Sequence, residues 1–359
     1  MHLRTLFRIL ILASIFVTIG FYASINENDD NEVLITDEHT LEMNESLYQN
    51  QENGTQEKTT ATRPTSGLGI LIGQDLGYLK GILGEPQRID ESLYGYQWYI
   101  YNIDYSRYVQ VGVENNKVVT VYAVGEDVDV SPFKIGQPIE EIFNTHFIDT
   151  NIDIDYNGNS YRFELNDTDL NIRPLLQLGD VFVQLYIDKF TGSLSSVRFL
   201  NDLTLIKQRP YELGYTGELI EAEEPTEDAW RLIEEGTEKE ILDITNVMRL
   251  RHNVKSLEWD QETSDVAYNH SKDMSENNDF SHTSKKFGNL SDRLEAANVA
   301  YKSAGENIAV NYPDGPAVAE GWLNSKGHRE SLLNEEFTHL GVGVYRKYYT
   351  QNFILKNDE

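Results

Sequence analysis

Apolar and polar residues alternate along much of the stretch from Leu68 to Leu205. Val109-Gln-Val111-Gly-Val113 is one such run. A period of two is typical of half-buried antiparallel strands. Asn115-Asn116, which separates two of these runs, predicts a hairpin turn because Asn tolerates a positive φ. The pattern predicts a β-rich domain, which we place at residues 67–205.

The alternating domain contains an internal repeat. Ile72-Gly73-Gln74 is echoed by Ile135-Gly136-Gln137, 63 residues further on. Each copy is followed by apolar residues at helical spacing and then by alternating runs. Two copies of one short helix followed by strands predict a tandem α+β repeat, since a solenoid would need more copies. We expect this domain to serve as a spacer, or to bind glycan or peptide through its many tyrosines.

Residues 236–359 change to a helical period and predict a mixed helix and strand domain. Thr237 and Glu240 have the spacing of a capping box and predict that a helix begins there. Asp260 is placed to cap a second helix, whose inner face would include His270. The remaining elements predicted for this domain are a helix from Asp314 and two strands, Leu340 to Tyr345 and Tyr349 to Leu355.

Two acidic segments lie outside these domains. Residues 26–66 are rich in Asn, Glu, Asp, Gln and Thr and have few large apolar side chains. Such a composition cannot bury enough surface to offset chain entropy, so we interpret it as a disordered tether. Residues 206–235 contain a densely charged stretch around Pro225, and we interpret them as an acidic linker.

The first 25 residues predict export. Arg4 and Arg8 stand at the start of an apolar run from Ile9 to Ile25, and acidic residues follow it. Positive charge before the run and negative charge after it place the remainder of the chain outside the cytoplasm. The run is long for a signal-peptide core and short for a full span. We favour an uncleaved signal anchor at the cell membrane, and the alternative is a cleaved signal peptide and a secreted protein.

Composition narrows the classes of function. The chain has 59 acidic and 30 basic residues and a net charge of −29, which argues against nucleic-acid binding because phosphate contacts need clustered Lys and Arg. It contains no cysteine. Thiol nucleophiles, disulfides and Cys-ligated zinc are therefore excluded, and this composition suits an exported bacterial protein that does not rely on disulfides.

Candidate chemistry is concentrated between Phe280 and Gly343. His282, Glu306 and His328 each stand beside a small or turn-forming residue. Two neutral imidazoles and one carboxylate are a competent three-ligand zinc set with an open fourth position. The His-Glu-x-x-His arrangement of zinc proteases is absent, so cation binding and hydrolysis are separate hypotheses here.

A series of short motifs in this region resembles the bacterial branch of the CAP superfamily. That superfamily groups cysteine-rich secretory proteins, insect venom antigens and plant pathogenesis-related proteins. Residues 67–205 resemble the CAP-associated N-terminal domain found ahead of such modules in Gram-positive bacteria. The C-terminal motifs are Asn246 with Arg249, Leu257-Glu-Trp259-Asp260, His270-Ser-Lys-Asp-Met274, Phe280-Ser-His282-Thr-Ser284, Ala304-Gly-Glu306-Asn307, Gly327-His328-Arg329 and Gly341-Val-Gly343.

The resemblance implies an α-β-α sandwich over residues 236–359, with a cleft that contains two histidines and two acidic residues. His282, Glu306 and His328 match three members of that cation-binding set. Ser325 stands where many relatives have a glutamate, and Glu320 and Glu330 remain alternatives for the fourth member. Asn307 is included in the predicted ligand-binding cleft by its place beside Glu306.

These observations together favour an extracytoplasmic, membrane-tethered protein that binds a small lipid, peptide or envelope-derived ligand, with zinc as the candidate cation. No catalytic residue is assigned. The alternatives are a metal-dependent hydrolase that acts on peptide or cell-wall material and a non-catalytic surface adaptor for protein contacts.

Overall fold

The computed structural model of the protein describes residues 61–356. The predicted signal anchor at residues 1–25 and the tether up to residue 60 lie outside the described residues.

The N-terminal domain is β-rich, as predicted, and consists of two halves. The first half contains a 3-10 turn (Leu68–Leu71), α1 (Leu76–Leu83), β1 (Arg88–Glu91), β2 (Gln97–Tyr101), β3 (Val109–Glu114) and β4 (Lys117–Ala123). The second half contains α2 (Ile139–Thr145), β5 (Asn151–Tyr156), β6 (Asn159–Glu164), α3 (Asp167–Ile172), β7 (Leu175–Leu178), β8 (Val181–Asp188), β9 (Ser193–Leu200), α4 (Asp202–Gln208) and β10 (Glu212–Thr216).

The two halves form a seven-stranded sheet in the order β1-β2-β3-β4-β9-β8-β7, and equivalent backbone bonds identify them as repeats. Gly73 N–H donates to Val118 O and Gly136 N–H donates to Leu194 O, each at 2.8 Å. Both glycines have a positive φ near 80°, a conformation that glycine adopts without penalty. The tandem α+β repeat is confirmed. The second half also contributes β5 and β6, which pair with β10 in a separate three-stranded sheet.

The C-terminal domain is a four-stranded sheet between helices. Its order is β11-β13-β14-β12. Gly341 and Gly343 allow a helix to lie directly on one face, because a Cβ at Gly343 would come within 1.8 Å of Tyr268 N. The elements are α5 (Glu227–Arg251), β11 (Glu258–Trp259), α6 (Gln261–Asn277), α7 (Leu290–Ala296), β12 (Ser303–Val310), α8 (Gly315–Leu323), α9 (Lys326–Leu332), β13 (His339–Tyr345) and β14 (Tyr348–Leu355). With α6 on one face and α5 and α8 on the other, the predicted α-β-α sandwich is confirmed.

The interpretation of residues 206–235 as a linker is wrong. This segment contains the end of α4, all of β10 and the first turns of α5. The cap of α5 is Thr226, and Thr237 lies inside the helix, where its hydroxyl donates to Ile233 O at 2.7 Å. The many acidic residues of this segment favoured a linker, but Trp230 and Ile233 form a buried helical face within it. A hydroxyl followed by a Glu three residues later is therefore not a cap here.

The two domains share one apolar core. α5 and α8 lie between the four-stranded sheet and the seven-stranded sheet, so Trp98 and Tyr122 join the same buried cluster as Ile244 and Val318. Buried ion pairs cross the contact, and among them Arg198 Nη2 lies 2.7 Å from Asp314 Oδ2. The N-terminal domain thus forms a wall beside the C-terminal domain.

Candidate functional site

His282 and Glu306 form a hydrogen-bonded pair. His282 lies in the connection between α6 and α7, and Glu306 lies on β12, the edge strand of the sheet. His282 Nδ1 is 2.9 Å from Glu306 Oε1. The side chain of Glu306 is only 4% exposed, whereas that of His282 is 43% exposed. The pair therefore links a buried carboxylate to a ring that solvent can reach.

Arg293 balances the charge of Glu306. Its guanidinium contacts Glu306 Oε2 through Nη2 and donates through Nη1 to His282 O at 2.9 Å. Burial alone would raise the pKa of Glu306, but the His282 hydrogen bond and the Arg293 charge outweigh it and hold that pKa below its usual value. Glu306 is therefore an anion at neutral pH, and Arg293 also fixes the loop that contains His282.

Polar atoms without partners surround the pair. His270 is buried, as predicted, and its Nε2 lies 3.9 Å from Glu306 Oε1. Asn352 stands opposite Glu306 in the β12–β14 register. Within residues 61–356, neither ring nitrogen of His270 and neither side-chain polar atom of Asn352 has a hydrogen-bond partner. Since such groups are costly when buried, these atoms are suited to hydrogen-bond with water.

Asn307 lies on the opposite face of β12 from Glu306 and contacts the backbone of His328. Successive side chains of a strand alternate between faces, so Asn307 points away from the Glu306 side, and its Nδ2 donates to His328 O at 3.0 Å. Burial and, to a smaller extent, the proximity of His282 together lower the pKa of His328 to about 4. His328 is neutral at physiological pH, and Asn307 holds the backbone of its helix.

A cavity of about 800 Å³ lies between the two domains. His328 lines it together with Phe280, whereas His282 and Glu306 lie outside its lining. The structure thus brings His282 and Glu306 together and assigns His328 to an adjacent cavity. The lining includes Trp322, Ser325 and His328 from the C-terminal domain and Tyr94, Tyr186 and Lys207 from the N-terminal domain.

The alternatives for the fourth acidic residue are separated by the structure. Ser325 is buried and lines the cavity. Glu320 is also buried, but Tyr122 in β4 donates to its Oε1 at 2.9 Å, and Ser195 and Ser196 in β9 bond to the same oxygen. Glu330 is exposed on α9. Glu320 therefore bonds across the contact between domains through Oε1, whereas its Oε2 has no hydrogen-bond partner among residues 61–356 and the residue also lines the cavity.

Two observations bear on the residues predicted to bind zinc. Between residues 61 and 356, no three His, Asp or Glu side chains are grouped so that they could hold a metal ion. Both carboxylate oxygens of Glu306 are already used, one by His282 and one by Arg293. A zinc set needs free donors about 2.0–2.2 Å from the ion. The set of His282, Glu306 and His328 stays a prediction.

Two features of the site escaped sequence reasoning. The first is Arg293, whose contact with Glu306 spans 13 residues and another element. The capping box of Asn289 and Asp292 was available as a signal for α7, although it says nothing about where Arg293 points. The second is the share of the cavity wall that the N-terminal domain supplies, for which no local sequence signal exists.

The layered C-terminal domain and the repeat domain before it define the class of protein. Residues 242–356 match the model of the cysteine-rich secretory protein (CAP) family, and residues 72–211 match that of the CAP-associated N-terminal domain. The chain belongs to the CAP family and contains both of these domains.

Individual relatives match this chain across both domains. The chain is 48% identical over 352 residues to YlbC of Bacillus subtilis, named an uncharacterized membrane protein, and the match covers 98% of each sequence. A solved extracellular protein with an SCP domain from Bacillus anthracis is 46% identical, with a TM-score of 0.78 over 84% of this chain and 100% of that one. A solved cysteine-rich secretory protein from Staphylococcus aureus is 30% identical, with a TM-score of 0.74 over 82% and 95%.

The names of these relatives bear on location. One is called a membrane protein and another an extracellular protein. Along residues 61–356, no helix is both long enough and apolar enough to cross a membrane.

Proposed function

We propose that this protein is tethered at the outer face of the cell membrane by its N-terminal segment and binds a small ligand without chemical turnover. The ligand is a lipid, a peptide or an envelope-derived fragment. The binding site is the cavity between the CAP domain and the N-terminal domain.

The cavity is the observation that supports this proposal. Its volume of about 800 Å³ lies within the range of about 300–1,000 Å³ that is common for small-molecule sites. Its wall combines aromatic rings, among them Trp230, Tyr312 and Trp322, with charged side chains such as Lys207 and Glu223. Aromatic surfaces with a few polar groups are typical of sites that bury most of a ligand.

The pKa values of three buried groups, Glu306, His270 and His328, favour binding over turnover. A general acid or base works best when its pKa is near the operating pH. The pKa of Glu306 is held below its usual value and its charge is taken by Arg293. Burial lowers the pKa values of His270 and His328 to about 4. None of these groups is poised to exchange protons near neutral pH.

The apolar segment at residues 9–25, with Arg4 and Arg8 before it, supports the proposed tether. The name of the Bacillus subtilis relative as a membrane protein agrees with this.

Binding is tested with the full chain in lipid nanodiscs. Fatty acids, blocked peptides and muropeptide fragments are titrated in separate arms while tryptophan fluorescence is recorded, because Trp230 and Trp322 line the cavity. We expect at least one class to shift the emission saturably. Ser325→Phe, which places a ring in the cavity beside Trp322, is expected to weaken or abolish that shift, and His339→Ala, on β13, is the control that retains it.

Two results would contradict the proposal. Absence of a saturable response to all three classes would favour the adaptor hypothesis. Conversion of any fragment to products, lost in Glu306→Gln, would favour the hydrolase hypothesis. Zinc is also titrated by calorimetry. Stoichiometric binding that is lost in His282→Ala would support the predicted cation site.

A further inference from the structure

We propose that the ligand of this cavity is an extended peptide, which adds to the CAP sheet as a further strand along the free edge of β12. This inference rests on the proposed function, since it uses the same cavity, and it assigns both the ligand class and the binding mode.

The hydrogen-bond register shows which backbone groups of β12 face outward. β12 is an edge strand, paired on one side with β14. Asn311 N–H donates to Lys347 O at 3.0 Å, and residues of an antiparallel strand alternate between facing their partner and facing away from it. Counting back from Asn311, the backbone groups of Ile308 and Val310 face away from β14.

An independent contact supports this register. Trp322 Nε1, which lies outside the sheet, donates to Ile308 O at 3.2 Å, so that carbonyl does point outward. Among residues 61–356, no hydrogen-bond partner is recorded for the N–H of Ile308 or of Val310 outside the strand ladder. The edge therefore offers two N–H donors and the carbonyl of Val310.

The cavity runs along this edge. Six consecutive residues, from Ile308 to Pro313, contribute to its lining. Three of these, Ile308 to Val310, lie on β12. Because side chains on one face of a strand are every second residue, three consecutive strand residues in the lining indicate that the backbone edge itself meets the cavity there. Tyr94, Tyr186 and Lys207 of the N-terminal domain line the same cavity. The space thus has a sheet edge on one side and the N-terminal domain on another.

An extended peptide matches the backbone groups and charges of this cavity wall better than a lipid or a single anion does. It presents donors and acceptors at the two-residue spacing of the edge, which is how peptides add to exposed sheet edges in other proteins. The charged lining is also mixed, since Lys207, Arg209 and Lys347 occur beside Glu221 and Glu223. A lipid headgroup or a phosphate would meet both signs of charge, whereas a peptide with mixed side chains can match both.

The first experiment uses the full chain and a positional library of N-acetylated, C-amidated hexapeptides, with tryptophan fluorescence and competition as readouts. The tightest member is then resynthesised with one backbone N-methyl group at a time. We expect N-methylation to weaken binding by about tenfold at alternate residues and to have little effect between them, because a strand directs every second N–H to its neighbour.

The second experiment changes the protein. Val310→Pro removes one outward N–H, and proline is tolerated on edge strands whose N–H faces away from the ladder. We expect about tenfold weaker peptide binding, whereas the matched control Val310→Ala keeps the N–H and should stay within about threefold. Thermal unfolding of both variants reports folding, and the N-methyl series on the unaltered protein gives the answer if Val310→Pro does not fold.

The outcomes separate this inference from the function beneath it. If no hexapeptide pool binds, or if N-methylation weakens binding equally at every position, the added strand is wrong. Saturable binding of fatty acids or muropeptide fragments alone would then leave the proposed function standing. Failure of all probes to bind would overturn both.

Discussion

Glu306 and Glu320 are two buried carboxylates of the CAP domain in opposite surroundings. Glu306 contacts the cation Arg293 and the ring of His282. Glu320 receives hydrogen bonds only from hydroxyl groups, including that of Tyr122. Burial raises the pKa of Glu320 above its usual value, and the hydroxyl donors reverse this only in part. The pKa of Glu306 moves in the other direction.

This difference gives the two carboxylates different roles. Glu306 lies beside the exposed His282, and Glu320 lies at the contact between the two domains. Glu306 is kept charged by Arg293 and hydrogen-bonds to the exposed ring of His282. Glu320 has a raised pKa and accepts hydrogen bonds from β4 and β9 of the other domain, so it links the two domains through Oε1 and also lines the cavity. The side chains are chemically identical, so only their partners reveal which role each one has.

The largest expected effect on stability concerns the contact between the two domains. Arg198→Met leaves Asp314 buried without its charge partner and removes the contacts of the guanidinium with the rings of Trp98 and Tyr122. Breaking a buried pair in this way costs about 3–5 kcal/mol. We expect the free energy of unfolding, measured by chemical denaturation, to fall by about that amount.

The control for this prediction is Arg162→Met. Arg162 and Asp153 form an ion pair whose side chains are 56% and 66% exposed, and exposed pairs contribute about 0–1 kcal/mol. Equal losses in the two variants would show that the contact between domains is not sealed from water.

Glu306→Gln is expected to cost about 3 kcal/mol at pH 7, because Arg293 then lies buried without a counter-charge. A carboxylate with a lowered pKa stabilises the folded state above its unfolded value of 4.5, and that contribution is lost as pH falls through the folded pKa. The gap between wild type and variant should therefore be widest near neutral pH and shrink below about pH 4.

Glu227→Gln is the matched control, since Glu227 is an exposed carboxylate paired with Arg346. It should change stability by less than about 1 kcal/mol. A pH-independent cost for Glu306→Gln would mean that Glu306 is not the buried anion described above.

Glu320→Gln is expected to have a smaller effect, within about 1 kcal/mol at pH 7, and the opposite pH dependence. A raised pKa means that the stabilising contribution is complete below 4.5 and is lost as pH rises through the folded value. The free energy of unfolding of the neutral variant, measured by denaturation, should therefore rise relative to that of wild type as pH increases above 4.5. A parallel pH profile for Glu306→Gln and Glu320→Gln would remove the contrast between them.

The sequence predicted the fold more completely than the site. Repeat motifs such as Ile72-Gly73-Gln74 and the strand alternation are local signals, and both were confirmed. The interior position of His270 also followed from helical spacing and was confirmed. These features depend on residues that are close together in the chain.

What could not be predicted depends on contacts between distant elements. Nothing near Glu320 indicates that Tyr122, 198 residues away, would donate to it. Nothing near Glu306 indicates Arg293 as its partner. In the segment 206–235, the high density of charged residues suggested a linker. The buried position of Trp230 depends on contacts with distant elements, which the local sequence does not show.

The smallest effect concerns the protonation of the two buried histidines. Burial lowers the pKa values of His270 and His328 to about 4, against the ordinary 6.5. NMR titration of the full chain with 13C-labelled histidine should therefore show two rings with midpoints near 4, and His328→Gln should remove one of them. Since these folded pKa values are depressed, the stability due to each ring is complete above pH 6.5 and declines as pH falls towards 4.

A saturating ligand that fills the cavity should perturb the His328 resonance more than that of His270, because of these two rings only that of His328 lines the cavity. A midpoint near 6.5 for His328 would mean that water reaches its ring freely, and the cavity wall would then be more open than the described contacts allow.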